Sequence, residues 1–295
     1  MLVAENLGFA YASQEPVLAQ VTFSVAASRM TAVVGRNGAG KSTLLRLCNG
    51  LLKPSTGRVL VDGVDTRSVP ASNLAKVVGT VFESPEHQFF KAQVAEEVSF
   101  GPKQLGLNHR QVTQRVTEAL ARTGLQEFAS VHPLDLDRTS QRFVALASAL
   151  VMKPRLLLLD EIQQGMDALA VRRLETLLSE EKAAGVAVVF VCHDMEFVAR
   201  NSDDVLLFHG GQLLSADSPM VVFSASTLLQ NAGLAAPECL QLSSRLGLRP
   251  ALYPKHLVVS WRHYLSGTDP TKSDSEAQRE RILKFPSASK DGEPS

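Results

Sequence analysis

Short, almost wholly apolar runs alternate along this chain with longer stretches in which apolar positions recur every three or four residues. The runs at 30–34, 156–159 and 186–191 have the length and composition of strands buried on both faces. Residues 2–7, 17–25, 58–61 and 77–82 read as further strands, with Leu18, Val21, Phe23 and Val25 β-leaning in the second. Val112, Val116, Leu120 and Ala121 lie at helical spacing and predict a helix over 109–123, stopped by Gly124-Leu125. Helices are also expected at 42–47, at 94–100 with a stop at Gly101-Pro102, at 140–150 and at 169–178. A hairpin is expected from 204–208 and 212–215 around Gly210-Gly211. The block from 84 to about 152 interrupts the strand–helix alternation and reads as an inserted helical subdomain. Residues 1–218 form the expected main domain, with a boundary at 216–219. Helices at 221–232, 237–246 and 254–265 make an extension over 219–265 too small to fold alone, expected to pack on the main domain or on a partner. The polar tail at 266–295 is expected to be disordered.

Composition narrows the classes. A chain of 295 residues, 45% hydrophobic, suits one large domain with an appendage. Thirty basic residues balance thirty acidic ones, so no basic footprint for nucleic acid exists. The apolar runs are too short to span a bilayer, and no signal-peptide pattern opens the chain. Cys48, Cys192 and Cys239 lack metal-ligand spacing and form no disulfide framework, which points to a reducing cytoplasm and inert thiols.

The chemistry begins at Gly35-Arg36-Asn37-Gly38-Ala39-Gly40-Lys41-Ser42-Thr43. A strand, a glycine-rich loop and a helix are what a phosphate cradle requires. The glycines let backbone N–H groups converge on phosphate oxygens, Lys41 reaches the β- and γ-phosphates, and the Ser42 hydroxyl suits magnesium (Mg2+). The strand at 156–161 ends in Asp160-Glu161, either a ligand-facing pair at a sheet's carboxyl edge or a pair capping the next helix. In the first reading Asp160 supports magnesium and Glu161 polarises the attacking water. His193 ends the 186–191 strand, as a structural residue or as a γ-phosphate contact on the same edge. Tyr11 is either a core aromatic at a strand end or a platform for a base.

Taken in order, Tyr11, the phosphate loop, Phe82-Glu83-Ser84-Pro85, the helical insert, Asp160-Glu161, Gly165-Met166-Asp167 and His193 resemble an ATP-binding-cassette (ABC) ATPase over about residues 1–218. Ser84-Pro85-Glu86-His87-Gln88-Phe89-Phe90, Val98-Ser99-Phe100-Gly101-Pro102, the run from His193 to Val198, Ala232-Gly233-Leu234 and Arg245-Leu246-Gly247-Leu248 resemble the energy-coupling-factor (ECF) subclass. The resemblance implies an α/β fold: a P-loop NTPase (RecA-like) core with an N-terminal antiparallel β subdomain, an inserted helical subdomain and a small helical C-terminal extension. It implies an ATP hydrolase at the cytoplasmic face of the membrane. Its partners would be a second ABC ATPase subunit, a transmembrane coupling protein and a substrate-capture membrane protein, powering uptake of a vitamin or transition-metal ion. Carried over by position, Tyr11 stacks on adenine, Glu161 is the catalytic carboxylate, His193 senses the γ-phosphate and Asp167 lies in the dimer-contact loop.

Two positions depart from the family pattern. Glu83 stands where a glutamine helps coordinate magnesium and water. Leu136-Asp137-Arg138-Thr139-Ser140 stands where Leu-Ser-Gly-Gly-Gln clamps the nucleotide of the opposite subunit. Asp137 would face that phosphate with a like charge. The expectation is a heterodimer with unequal sites, in which this chain's own cradle is the better hydrolysis site. A non-hydrolysing regulatory subunit and a soluble non-transport ATPase are the other readings.

Overall fold

The computed structural model describes residues 1–12 and 15–266, so the expected disordered tail lies, beyond Ser266, outside the described residues. Near the start, β1 (Leu2–Phe9), β2 (Leu18–Val25), β4 (Thr56–Val61) and β5 (Val64–Asp65) form an antiparallel sheet in the order β2-β1-β4-β5. The second sheet contains β3 (Met30–Val34), β6 (Val78–Val81), β7 (Leu156–Asp160), β8 (Ala187–Val191), β9 (Asp204–His209) and β10 (Gln212–Asp217). Its order is β10-β9-β3-β8-β7-β6, parallel except for the β9–β10 hairpin. The strands β3, β7 and β8 are buried along their whole length, which is why they read as apolar runs rather than alternating ones.

The helix α1 (Lys41–Cys48) joins the two sheets. Its Leu44, Leu45 and Leu47 enter one core with Leu2, Val21, Val33, Leu158, Val189 and Phe208. After the short α2 (Ala71–Leu74), the insert supplies α3 (Val94–Gln104), α4 (His109–Thr123) and α5 (Arg138–Leu150). The helix α4 opens on a capping box between Asn108 and Gln111 and ends on Gly124. One expectation is corrected here: α3 does not stop at Gly101-Pro102 but runs three residues past Gly101. Proline removes only one hydrogen bond in a last turn, and the bare Gly101 lets Met152 pack where a Cβ would collide with its Sδ.

The chain continues through α6 (Ala168–Ala183) and α7 (Met195–Asn201). The expected single helix over 221–232 is two, α8 (Pro219–Ser224) and α9 (Ser226–Ala232), broken at Ala225, whose ψ of 72° is not helical. No residue type at that point announces the break. Both helices pack against β9, so the first compact unit runs Met1–Ala236, past the boundary expected near residue 218. A second unit begins at Pro237 with α10 (Glu238–Arg245) and α11 (Pro254–Ser266), where Ala251 N–H donates to the buried Ser243 hydroxyl.

The start of β3 is held by Asp203, whose carboxylate accepts from Met30 N–H at 2.8 Å and from Lys182 Nζ at 2.7 Å. Burial works to raise its pKa, but these hydrogen bonds and the charges of Lys182 and Arg29 outweigh it and hold the carboxyl below the usual range. A lowered folded pKa means stability that is present above the unfolded value, about 3.9, and lost as pH falls through the folded value. Asp203→Asn is therefore expected to cost about 1–2 kcal/mol at neutral pH. In urea melts followed from neutral pH downward, the gap from wild type should close as the solution becomes acid.

Candidate active site

The strand β3 ends at the phosphate loop, and β8 and β9 flank it. The carboxyl ends of β3, β8 and β7 thus lie side by side, where an open parallel sheet presents a ligand crevice. A cavity of about 380 Å³ opens there, lined by Asn37, Gly38, Gly40, Lys41, Ser42 and Thr43 of the loop and α1. Glu83, Glu161, Gln164, His193 and Val17 complete the lining. Lys41 is buried, and its Nζ donates to Gly35 O at 2.9 Å and Arg36 O at 3.0 Å, so the ammonium spans the loop. Burial lowers its pKa, opposed by Glu161, Asp160 and Glu83. The loop's remaining members do not line the cavity. Gly35 and Ala39 are buried beneath it and Arg36 is exposed.

Glu161 leaves the end of β7 with a φ of 49°, a left-handed conformation that costs a non-glycine residue about 1–3 kcal/mol. Its N–H donates to Val191 O at 3.2 Å, which ties the turn to the end of β8. The turn aims the carboxylate into the cavity, where its Oε1 lies 2.8 Å from His193 Nε2. Burial raises the Glu161 carboxyl above the usual glutamate range, against the opposing charge of His193. Asp160, in register with Val191, sits deeper, with burial raising its carboxyl and a hydrogen bond to the Ser42 hydroxyl lowering it. It faces an adjoining cavity of about 360 Å³ that Glu83 also lines.

Among the described residues no group of three or more His, Cys, Asp or Glu side chains is arranged to hold a metal ion alone. The Ser42–Asp160 hydrogen bond does bring two oxygen ligands together. That fits magnesium, which takes one or two protein oxygens and completes its octahedron with phosphate oxygens and water.

The other sequence-predicted residues do not line this cavity. Tyr11 stands at its rim, its hydroxyl 3.3 Å from Thr43 Oγ1 and its ring edge-on to Phe9. Asp167 caps α6, accepting from Ala170 N–H at 2.8 Å. Leu136 is held by its carbonyl, which accepts from Gln141 Nε2 at 2.9 Å. Asp137 caps α5: its carboxylate accepts from the Ser140 N–H at 3.0 Å and the Ser140 hydroxyl at 2.8 Å. These bonds hold the Asp137 carboxyl below its usual range. The carboxylate is thus folded back onto the first turn of its own helix, where it remains exposed. Arg138 is exposed and, with Glu83, Glu86, Arg142 and Gln164, lines a separate cavity of about 190 Å³, while Thr139 is half-buried. Sequence reasoning missed Gln164, the second of two adjacent glutamines ahead of the Gly165-Met166-Asp167 turn.

A larger groove of about 820 Å³ lies between the sheet edge and the helical insert, lined by Leu51, Phe82, Gln88, Phe100, Leu105 and Met152 among others. At its rim Phe90 and Phe100 are exposed, ring to ring at 4.8 Å. The buried Glu97 fixes this rim by accepting from the N–H groups of Phe90 and Lys91. The Cys48 and Cys192 thiols are pushed by burial to about 12 and take no part in the chemistry.

A phosphate cradle after the central strand, carboxylates on a neighbouring strand end and a helical insert define a nucleotide-binding cassette. The ABC transporter family profile matches residues 18–164. The cobalt import ATP-binding protein CbiO of Rhodobacter capsulatus is 38% identical over 253 residues, 85% of this chain and 90% of the relative. The energy-coupling factor transporter ATP-binding protein EcfA of Methanothermobacter thermautotrophicus is 34% identical over 248 residues, 83% and 80% of the two chains. Among solved structures, cbiO1 of Clostridium perfringens, described as part of the ABC transporter complex cbiONQ, aligns with a TM-score of 0.69 at 32% identity, covering 79% of this chain and 94% of that one. The chain belongs to the ABC transporter ATP-binding proteins, and within them to the energy-coupling-factor type.

Proposed function

We propose that this chain is the ATP-hydrolysing subunit of an ECF-type importer and carries one competent half of a two-subunit nucleotide site. The observation that carries this is the Glu161–His193 pair at 2.8 Å, facing Lys41 across the phosphate cradle. In the reaction, Glu161 accepts a proton from water as the water oxygen bonds to the γ-phosphorus and the bond from phosphorus to the bridging oxygen breaks. The electron pair leaves with ADP, and inorganic phosphate is the other product. Lys41 and the loop N–H groups hold the phosphates, and His193 orients the Glu161 carboxylate while its ring faces the γ-phosphate position. Ser42 and Asp160, with Glu83 beside them, would hold magnesium brought with the nucleotide, which would supply positive charge to offset that of the phosphates. Tyr11, at the rim, stacks on the adenine.

The described helices include none long and apolar enough to cross a membrane. The 820 Å³ groove with its exposed Phe90 and Phe100 has the size and apolar lining to take a helix of a membrane coupling protein. A separate capture protein would choose the solute, a vitamin or a transition-metal ion. The energy-coupling-factor and cobalt-import names of the relatives, and the cbiONQ complex of the solved structure, support membrane partners for this chain.

The second ATPase subunit differs from this one in our reading. With the Asp137 carboxylate at the start of α5 accepting from Ser140 N–H, that helix end turns a negative charge, and one fewer open N–H, toward a phosphate bound on the opposite subunit. The partner's nucleotide would therefore turn over slowly, and this chain's own nucleotide, closed by an intact partner signature, would turn over fast. The test compares ATP hydrolysis by the purified chain with that of the chain co-purified with its second ATPase. Low activity alone and high activity in the pair is expected, whereas equal activity would refute unequal sharing.

A further inference from the structure

Position 83 leaves the hydrolysis site without an amide at its usual place, yet the cavity is not without one. Among its described lining residues only Asn37 and Gln164 carry side-chain amides. Asn37 belongs to the phosphate loop, whereas Gln164 stands on the Glu161 and His193 side. Its N–H donates to Glu161 O at 3.1 Å, so one tight turn fixes it relative to that carboxylate. Its side chain is exposed and borders two cavities, the nucleotide cavity and the 190 Å³ cavity that holds Arg138 and Arg142. Glu83 borders both as well, and the second cavity also holds Glu86.

The attacking water has two protons and must aim a lone pair at phosphorus. Glu161 accepts one proton. A second group must accept a hydrogen bond from the other, and a donor to the γ-phosphate oxygens beside it favours the transition state. A carboxylate at position 83 can only accept, and it places negative charge next to phosphate. An amide both accepts and donates without charge. Arg138 and Arg142 line the second cavity together with Glu83, on the side away from the nucleotide cavity's Lys41.

We propose that Gln164 is a catalytic residue of this chain, its amide orienting the attacking water beside Glu161 in the role that Glu83 cannot fill. The inference rests on the reading of Glu161 as the catalytic carboxylate. Its consequence is an exchange of duties between two positions, so each should be able to compensate for the other.

The test uses the full-length chain co-expressed with its transporter subunits. Gln164→Ala is expected to lower kcat on the order of 100-fold, with ATP affinity, measured by fluorescent-nucleotide displacement, unchanged. Gln164→Glu, which keeps the size and removes the donor, should show a similar loss, and thermal melts of both should match wild type. Adding Glu83→Gln to Gln164→Ala should restore most of the lost turnover. Unchanged kcat in Gln164→Ala, full activity in Gln164→Glu, or a loss that Glu83→Gln does not repair would each overturn the proposal. Glu161→Gln is the control. If it hydrolyses ATP normally, the underlying reading falls and this one with it; if it is inactive while Gln164→Ala is not, only the role of Gln164 falls.

Discussion

Glu161→Gln is expected to reduce ATP turnover about a thousandfold while leaving the nucleotide bound. The carboxylate contributes little to the cradle, which is built from the loop N–H groups, Lys41 and Ser42. In the proposed reading it is the carboxylate that takes a proton at the moment of attack, held by His193 Nε2 at 2.8 Å and by the turn at φ 49°. Glutamine keeps the shape and a hydrogen bond to His193 but cannot accept a proton at neutral pH. Rapid-quench measurement of hydrolysis and equilibrium binding of ATP, made on the same preparation, separate the two effects. Loss of binding in step with loss of turnover would mean that Glu161 serves the cradle and not the chemistry.

The same substitution carries a stability signature. Burial raises the Glu161 carboxyl, with His193 opposing and Glu83 adding to the rise. A carboxyl whose folded pKa is raised favours the fold while protonated, and that contribution is lost as pH rises through the folded value. At neutral pH the ionised Glu161 is therefore a burden that glutamine removes. Glu161→Gln should melt higher than wild type at neutral pH, and the difference should shrink toward about pH 4. The residue we propose as the catalytic carboxylate is one the fold would be more stable without.

Gly35→Ala should be the most damaging change in the cradle. A Cβ there would stand 2.5 Å from Phe208 O and 3.3 Å from Ala39 Cβ. The Phe208 carbonyl belongs to β9, which is paired with β3 on one side and β10 on the other, so it cannot retreat. The loop must move instead. Lys41 then loses the Gly35 and Arg36 carbonyls that position its ammonium, and the loop N–H groups no longer converge. Overpacking of this kind costs about 1–3 kcal/mol of stability. The larger effect should be on function: nucleotide affinity measured by calorimetry should fall below detection even where the variant remains folded by circular dichroism. An alanine variant with wild-type affinity would mean that the loop adapts without its contact to β9.

Much of this site was legible along the chain. The cradle is a local motif, and Lys41, Ser42 and Thr43 lie within one turn of helix of its glycines. Asp160 and His193 follow apolar runs that had to be buried strands, and in a parallel sheet such strand ends share one edge. Asp137 illustrates the opposite case. Its identity as a charge at the aligned signature was plain, but its direction was not. The carboxylate turns back because the start of α5 leaves N–H groups without partners and Ser140 sits three residues on. Gln164 was hidden for another reason, since nothing in a run of two glutamines says which one faces the cavity. The stop expected at Gly101-Pro102 failed because Met152, 51 positions away, fills the space glycine leaves.

By itself, then, the order of residues determined the strands, the phosphate cradle, the carboxylates and the class of reaction, because each depends on neighbours within a few positions. Tertiary structure alone decided that β8 would lie between β3 and β7 and so bring His193 to Glu161. It also decided that β9 would wall the loop at Gly35, and that the Gln164 amide would share a cavity with the carboxylate at position 83. Those are distances between segments far apart in the chain, set by how buried strands and helices fill a common core, and no local pattern records them.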